Sequence, residues 1–243
     1  MPRTLCISDI HGCYDEFNKL LNEVGYSPYD QLILLGDYED RGFKSKEVIE
    51  QVKTLVDKNG VVALRGNHDQ MFLDIFNGGD DYLFLHNGGI HTIESYCGMN
   101  WFEQYDGFEF NRYLQAKEFI KKNYSEHIEF LESLPYYYED DLHIYVHAGI
   151  NPFYEDWTKQ PKDDFIWIRD IFLNNKIDTH KKVIFGHTPT INMNGNSAEV
   201  WFQDDKIGID GGCCFGYQLN CLEIIDGHYN TYSIDSSLKS DKN

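Results

Sequence analysis

Five short apolar runs in this chain each end beside a glycine and a residue that can bind a metal ion. The runs cover residues 5–7, 32–35, 61–64, 144–146 and 183–185. Short apolar runs bounded by turn residues are typical of strands buried in the middle of a parallel sheet. Because ligands of open α/β sheets bind beyond the carboxyl ends of the strands, the five runs predict one shared site.

The residues that follow these runs are carboxylates, imidazoles, an amide and an arginine. They form the motifs Asp9-Ile10-His11-Gly12, Gly36-Asp37-Tyr38-Glu39-Asp40-Arg41-Gly42, Gly66-Asn67-His68-Asp69, His147-Ala148-Gly149 and Gly186-His187-Thr188. The motif at 36–42 puts Asp37, Asp40 and Arg41 in one loop, which is costly to bury unless charges of opposite sign lie between them. A metal ion and a phosphate would satisfy all three. Alone, this loop would equally fit a surface turn, but five such motifs in one chain argue against that interpretation.

In this order the motifs resemble those of the metallophosphoesterases, and among them the phosphoprotein phosphatase (PPP) family. The bacterial branch, which contains small serine/threonine phosphatases and diadenosine tetraphosphatases, fits best, and the resemblance runs from Asp9 to about Ile224. The chain departs from the pattern at Glu39, where the family usually carries an apolar residue, and at Asp69, where many members carry Glu. The resemblance implies a calcineurin-like α/β fold, a four-layer α/β/β/α sandwich with a helical insertion.

The resemblance also implies a dinuclear metal site in which Asp37 bridges the ions and a metal-bridged hydroxide attacks phosphorus. The first ion is expected to bind Asp9, His11 and Asp37, and the second to bind Asp37, Asn67, His147 and His187. Oxygen and imidazole ligands without thiolate suit Mn²⁺ best, with Fe or Zn as alternatives. Two such ions can activate water directly, so no covalent phosphoenzyme is expected.

Four further residues receive roles from the resemblance. His68 is expected to donate a proton to the leaving oxygen, and Asp40 to hold the other ring nitrogen of His68. Arg41 is expected to bind two phosphoryl oxygens. Arg169, in Trp167-Ile168-Arg169-Asp170, is expected to be a second phosphate ligand, although an ion pair on a surface helix fits its weak motif nearly as well.

The order of patterns predicts one catalytic domain over residues 1–243. Residues 4–64 follow a β-α-β-α-β pattern, which implies parallel strands. About 70–133 form a helical insertion, in which Ser125 is expected to cap a helix, and from residue 136 the chain is expected to be largely β. Aromatic residues crowd the insertion and are interpreted as its core: Tyr96, Trp101, Phe102, Tyr105, Phe108, Phe110 and Tyr113.

Two polar features near the motifs are left outside the predicted site. Arg65 precedes Gly66 and is expected to pair with nearby acids. Asp210-Gly211-Gly212 follows a late strand pattern and is interpreted as a turn at the rim of the site.

Charge and composition exclude several kinds of partner. The formal net charge is −19, which argues against nucleic acid and membrane surfaces because both require basic patches. The six cysteines show no zinc-like spacing and are typical of reduced thiols. With no apolar stretch near the roughly 20 residues of a membrane span, a cytoplasmic protein is expected.

The substrate is the open question of the sequence. The leading expectation is a serine/threonine-type metallophosphatase that acts on phosphorylated proteins, because an acidic surface tolerates a phosphorylated side chain better than a highly charged dinucleotide. A dinucleoside tetraphosphate hydrolase would use the same catalytic set on a small phosphorylated substrate and remains the alternative. An inactive metal-binding scaffold is disfavoured, since every motif position is filled. The residues that select the substrate are expected in the insertion and in loops near Gly211.

Overall fold

Two five-stranded sheets form the centre of the molecule in the computed structural model, which describes residues 3–102 and 109–238. The strands are β1 (Thr4–Ile7), β2 (Gln31–Leu34), β3 (Val62–Ala63), β4 (Tyr137–Glu139), β5 (His143–Val146), β6 (Lys182–Phe185), β7 (Trp201–Phe202), β8 (Lys206–Gly208), β9 (Gln218–Ile225) and β10 (His228–Asp235). The helices are α1 (Tyr14–Glu23), α2 (Ser45–Asn59), α3 (Asn67–Asp74), α4 (Asp81–Phe84), α5 (Ile90–Cys97), α6 (Phe110–Asn123), α7 (Ser125–Ser133), α8 (Lys162–Trp167) and α9 (Asp170–Leu173).

The first sheet has the order β10-β9-β1-β2-β3. Strands β1, β2 and β3 are parallel, with Leu5 opposite Leu32 and Leu34 opposite Ala63, while β9 runs antiparallel to β1. Helices α1 and α2 connect the three parallel strands, so the β-α-β-α-β prediction for residues 4–64 is confirmed.

The second sheet has the order β4-β5-β6-β8-β7. Its three inner strands are parallel, and the edge strands β4 and β7 are antiparallel to their neighbours. The parallel strands of both sheets therefore direct their carboxyl ends to the residues of the predicted site.

Alternating side chains divide the interior into three apolar layers. On β1, Leu5 and Ile7 pack against α1 and α2, while Cys6 faces the second sheet. On β5, Tyr145 faces the first sheet, and the residues on either side of it pack against α8 and α9. Each sheet thus has one face on the other sheet and one face on helices, and the four-layer α/β/β/α prediction is confirmed.

One local prediction in the later chain is wrong. Ser125 is the first residue of α7 rather than its cap, and Tyr124 holds the capping position without a side-chain hydrogen bond. From residue 136 the prediction of a largely β segment is confirmed by strands β4 to β10, between which the chain also forms the short helices α8 and α9. These helices have only six and four residues, which is too short for helical periodicity to appear in a sequence.

The insertion consists of α4 to α7, with a π-helical turn at Leu85–Gly89. Tyr96, Phe102 and Tyr113 are buried, as expected for a helical core, whereas Phe110 is 52% exposed. The predicted core residues Tyr105 and Phe108 lie outside the described residues. That residues 1–243 form one domain stays a prediction. Within the described chain, no helix has the length and apolar character needed to cross a membrane.

Candidate active site

The five motifs meet at the carboxyl ends of the strands, around the side chain of Asp37. Nε2 of His11 lies 3.4 Å from Asp37 Oδ2 and 4.0 Å from Asp9 Oδ1. On the other side, Nε2 of His147 lies 3.4 Å from Asp37 Oδ1. The two carboxylate oxygens of Asp37 therefore face two different imidazoles.

A second group of ligand atoms surrounds His147. Its Nε2 lies 3.0 Å from Asn67 Oδ1, and the ligand atoms of Asp37, His147 and His187 all lie within 4.8 Å of one another. Nε2 of His187 is buried and has no hydrogen-bond partner among the described residues. A buried nitrogen without a partner is costly, and a cation held by these three side chains would satisfy it.

Backbone carbonyls orient the imidazoles. Nδ1 of His11 donates to Glu39 O at 2.7 Å, and Nδ1 of His147 donates to Leu35 O at 2.8 Å. Because a carbonyl oxygen only accepts, the proton resides on Nδ1 and the Nε2 lone pair faces Asp37. Burial lowers the pKa of both histidines, which keeps them in the neutral form that binds metals.

The carboxylates are arranged for a positive charge between them. Burial raises the pKa of Asp37, and the neighbouring carboxylates of Asp9 and Asp69 raise it further. Asp9 accepts hydrogen bonds from the His187 backbone N at 2.9 Å and from the Ser8 hydroxyl. A donor set of carboxylates, an amide and imidazoles suits Mn, Fe or Zn, so these residues fit a divalent cation.

His68 and Asp40 form a buried pair next to this group. Nδ1 of His68 donates to Asp40 Oδ2 at 2.7 Å, and the His68 ring meets the His11 ring edge-to-face at 4.6 Å. Burial lowers the pKa of His68 and raises that of Asp40. The geometry matches the predicted pairing of an acid with an orienting carboxylate.

The two predicted arginines both lie at this site. Nη1 of Arg41 is 3.0 Å from His11 Nε2. Nη1 of Arg169 donates to His187 O and to Thr188 Oγ1, each at 2.9 Å. The alternative of a surface-helix ion pair for Arg169 is therefore not what the structure contains.

Strained backbone accompanies these side chains. Six of them adopt a left-handed φ that disfavours residues other than glycine: Asp9 (53°), His11 (45°), Asp37 (58°), Asp40 (69°), Arg41 (67°) and His187 (63°). Such strain clusters at functional sites. The adjacent glycines allow close approach, because a Cβ on Gly66 would lie 2.1 Å from Asp37 Oδ1 and a Cβ on Gly186 would lie 2.2 Å from Asp9 Oδ2.

Two further residues lie beside the site: Asp210, which the sequence analysis placed only in a turn at the rim, and Thr92, which it did not single out. Asp210 follows β8, is buried, and has a pKa raised by burial and by Asp9. Its strand–acid–glycine pattern repeats that of the motifs and could have identified it. Thr92, on α5, exchanges two hydrogen bonds with Asp40, and nothing in its local sequence points to that contact.

Arg65 behaves differently from its prediction. It donates to the backbone oxygens of Leu131 and Glu132 and to the side chains of Gln70 and Tyr136. The expected pairing with acids is wrong, because the arginine instead joins the start of α3 to the end of α7.

A cavity of about 730 Å³ opens beside the two arginines. Its wall comes from the site residues Arg41, Arg169 and His187 and from residues 170–173, 188–193 and 215–217. These last three segments are here named the late loops. Apolar and aromatic residues of the late loops contribute much of that wall: Leu173, Ile191, Met193, Phe215 and Tyr217. Among described residues, none of the insertion lines this cavity, although the insertion was expected to supply part of the substrate wall.

The chain is similar to known phosphoesterases. The sequence pattern of the calcineurin-like phosphoesterase family matches residues 2–220. The bis(5'-nucleosyl)-tetraphosphatase PrpE (asymmetrical) of Anoxybacillus flavithermus is 27% identical, over 96% of this chain and 94% of its own. Serine/threonine-protein phosphatase 1 of Salmonella typhimurium is 29% identical, over 90% of each chain. The names of these two relatives indicate different substrates.

The fold is also found in solved structures. A protein provisionally identified as a diadenosine tetraphosphatase has a crystal structure that matches with a TM-score of 0.66 and 19% identity, over 97% of this chain and 96% of that chain. The fold predicted from the motifs is confirmed.

Proposed function

The chain belongs to the calcineurin-like phosphoesterase family, and from that premise we propose that it hydrolyses its phosphorylated substrate at a centre of two divalent metal ions. The position of Asp37 carries this proposal. One of its carboxylate oxygens lies 3.4 Å from Nε2 of His11, and the other lies 3.4 Å from Nε2 of His147. A buried carboxylate that faces two neutral imidazoles suits a bridge between two cations.

Six side chains would hold the ions. Asp9, His11 and Asp37 would bind the first, and Asn67, His147 and His187 would complete the second together with Asp37. When bound, such ions activate water for attack at phosphorus and neutralise the developing charge. Mn²⁺ is the proposed metal, since the ligands are oxygen and imidazole.

The protein's own groups serve the leaving oxygen and the phosphoryl group. With Nδ1 of His68 directed to Asp40 at 2.7 Å, the other ring nitrogen is left to carry the proton that the leaving oxygen needs. The ionised Asp40 carboxylate would oppose the burial that lowers the pKa of His68, and so would favour the imidazolium form that proton donation requires. Arg41 and Arg169 supply N–H donors for the phosphoryl oxygens.

The cavity favours a dinucleoside tetraphosphate as the substrate. Its volume of about 730 Å³ is in the range of nucleotide-sized sites, and Phe215 offers an exposed ring on which a base can stack. The cavity also carries two arginines against one aspartate, which weakens the argument that the acidic surface repels a polyphosphate. The PrpE relative, named as a bis(5'-nucleosyl)-tetraphosphatase, supports this candidate.

Phosphoserine or phosphothreonine in proteins is the second candidate. The net charge of −19 would attract basic residues next to a phosphorylated side chain. The Salmonella relative, named as a serine/threonine-protein phosphatase, supports this candidate.

A set of kinetic assays with Mn²⁺ tests both the proposed metal centre and the proposed substrate. It compares diadenosine tetraphosphate, a phosphopeptide and an aryl phosphate, each before and after chelation and at two salt concentrations. We expect chelation to abolish all activity, Mn²⁺ to restore it, and the dinucleotide to have the higher kcat/KM. Activity of metal-free protein would refute the metal centre. A tenfold preference for the phosphopeptide, about 1.4 kcal/mol in the transition state, would refute the substrate choice alone.

A further inference from the structure

The insertion contacts the active site at the turn that carries Asp40 and Arg41. Both residues have left-handed backbone, with φ of 69° and 67°. Gly88 of the insertion accepts a hydrogen bond from Arg41 N at 3.3 Å, and a Cβ on Gly88 would lie 2.7 Å from that same nitrogen. A strained turn of this kind persists only where its surroundings fix it.

Thr92 makes the most direct of these contacts. Its Oγ1 accepts from the backbone N of Asp40 at 2.9 Å and donates to Asp40 Oδ1 at 2.6 Å. Ser45 Oγ lies 3.2 Å from both Thr92 Oγ1 and Asp40 N. Asp40 and Thr92 are fully buried, so water cannot replace the threonine hydroxyl.

The two oxygens of Asp40 are therefore shared between two partners. Oδ1 accepts from Thr92, and Oδ2 accepts from Nδ1 of His68 at 2.7 Å. With its backbone N and one carboxylate oxygen both held by the same hydroxyl, the carboxylate cannot rotate away from the imidazole. The orientation of His68 thus depends on a residue 52 positions along the chain from Asp40.

Resting on the proposed function, we propose that Thr92 is a positioning residue for proton donation to the leaving oxygen. It acts through Asp40 and touches neither substrate nor metal. Its removal should slow substrates whose leaving oxygen needs a proton and should spare those whose leaving group is already a weak base. A purely structural role would slow both to the same extent.

The test compares an alkyl phosphate with 4-nitrophenyl phosphate in Mn²⁺-loaded enzyme. Thr92→Val keeps the shape of the side chain and removes the hydroxyl, whereas Thr92→Ser keeps the hydroxyl. The matched control is Ser95→Ala, because Ser95 lies on the same helix and its hydroxyl likewise accepts from a backbone N, that of Lys46 at 2.9 Å, and donates to a carboxylate, that of Glu47 at 3.2 Å, outside the site. Bound metal is measured for each variant, and Thr92→Ala replaces Thr92→Val if the valine variant does not fold.

We expect Thr92→Val to lower kcat/KM for the alkyl phosphate about tenfold more than for the aryl phosphate, the size of one lost hydrogen bond to a charged group. Thr92→Ser and Ser95→Ala should keep the wild-type ratio, and bound metal should not change. Equal losses on both substrates, or no loss, would overturn the inference. If wild-type enzyme with Mn²⁺ did not hydrolyse the aryl phosphate, the proposed function would fail instead.

Discussion

The insertion and the late loops contact Arg41 and its neighbour Asp40 in different ways. The insertion reaches these residues with buried polar contacts, through Gly88 O to Arg41 N and through Thr92 to the adjacent Asp40. The late loops contact Arg41 through a partly exposed ring. The centroid of the Phe215 ring lies 4.8 Å from Cζ of Arg41, and Phe215 is 45% exposed. Buried hydrogen bonds fix geometry, while exposed aromatic surface remains available to a ligand. We therefore assign the chemical step to the insertion side and the choice of substrate to the late loops.

The largest effect expected from this division follows from removing the acid itself. His68→Ala should lower kcat/KM for an alkyl phosphate by about 10²–10⁴-fold and should affect 4-nitrophenyl phosphate far less. Asp40→Asn should resemble a milder form of this variant and keep its metal. Steady-state kinetics on both substrates, with elemental analysis of each variant, measures these changes. Equal losses on the two substrates would assign His68 to positioning and break the division.

A smaller effect is expected on the other side of the comparison. Phe215→Ala should lower kcat/KM for diadenosine tetraphosphate about 5- to 150-fold, because a base stacked on an aromatic ring contributes about 1–3 kcal/mol. The ratio between alkyl and aryl phosphates should stay unchanged. Phe202→Ala is the matched control, since Phe202 is also 45% exposed but lies on β7, outside the cavity wall. A loss shared equally by all three substrates would remove Phe215 from substrate selection.

The smallest effect concerns an ion pair at the opposite end of β1. The hydrogen bond from Arg3 lowers the pKa of Asp30 in the folded protein. The ion pair therefore contributes fully to the free energy of unfolding at pH values above about 3.9, the pKa of an aspartate in the unfolded chain. This contribution is lost as the pH falls through the lower pKa of Asp30 in the folded protein. Arg3→Gln should cost about 1 kcal/mol at pH 7, because the side chains of Arg3 and Asp30 are only 22% and 10% exposed while the glutamine amide still donates a hydrogen bond, and it should cost less near pH 3.

Denaturant unfolding at both pH values measures this contribution. Arg3→Gln should leave every substrate ratio unchanged, which would separate general destabilisation from the effects at the site. If Arg3→Gln changed the ratio of kcat/KM between the alkyl and the aryl phosphate, a loss of stability alone could produce the effect expected from removing His68.

The sequence predicts the site better than its surroundings. Asp9, Asp37 and His147 could be placed because each lies within two residues of the end of an apolar run, and strand, ligand and glycine are local features of the chain. Asp210 carries the same local pattern, but one acid before glycine is also an ordinary turn. Thr92 could not be found, since its contact with Asp40 spans 52 residues and depends on how the insertion packs. The cavity wall could not be assigned either, because it combines three separated segments.

A double-mutant cycle of Thr92→Val and Phe215→Ala tests the division most directly. The measurement is kcat/KM of both single variants and the double variant for an alkyl phosphate, 4-nitrophenyl phosphate and diadenosine tetraphosphate. If the insertion serves the chemical step and the late loops serve substrate choice, the effects should add to within about 0.5 kcal/mol on each substrate. Coupling above about 1.4 kcal/mol, a factor of ten in rate, would contradict the account by showing that both regions act on the same step.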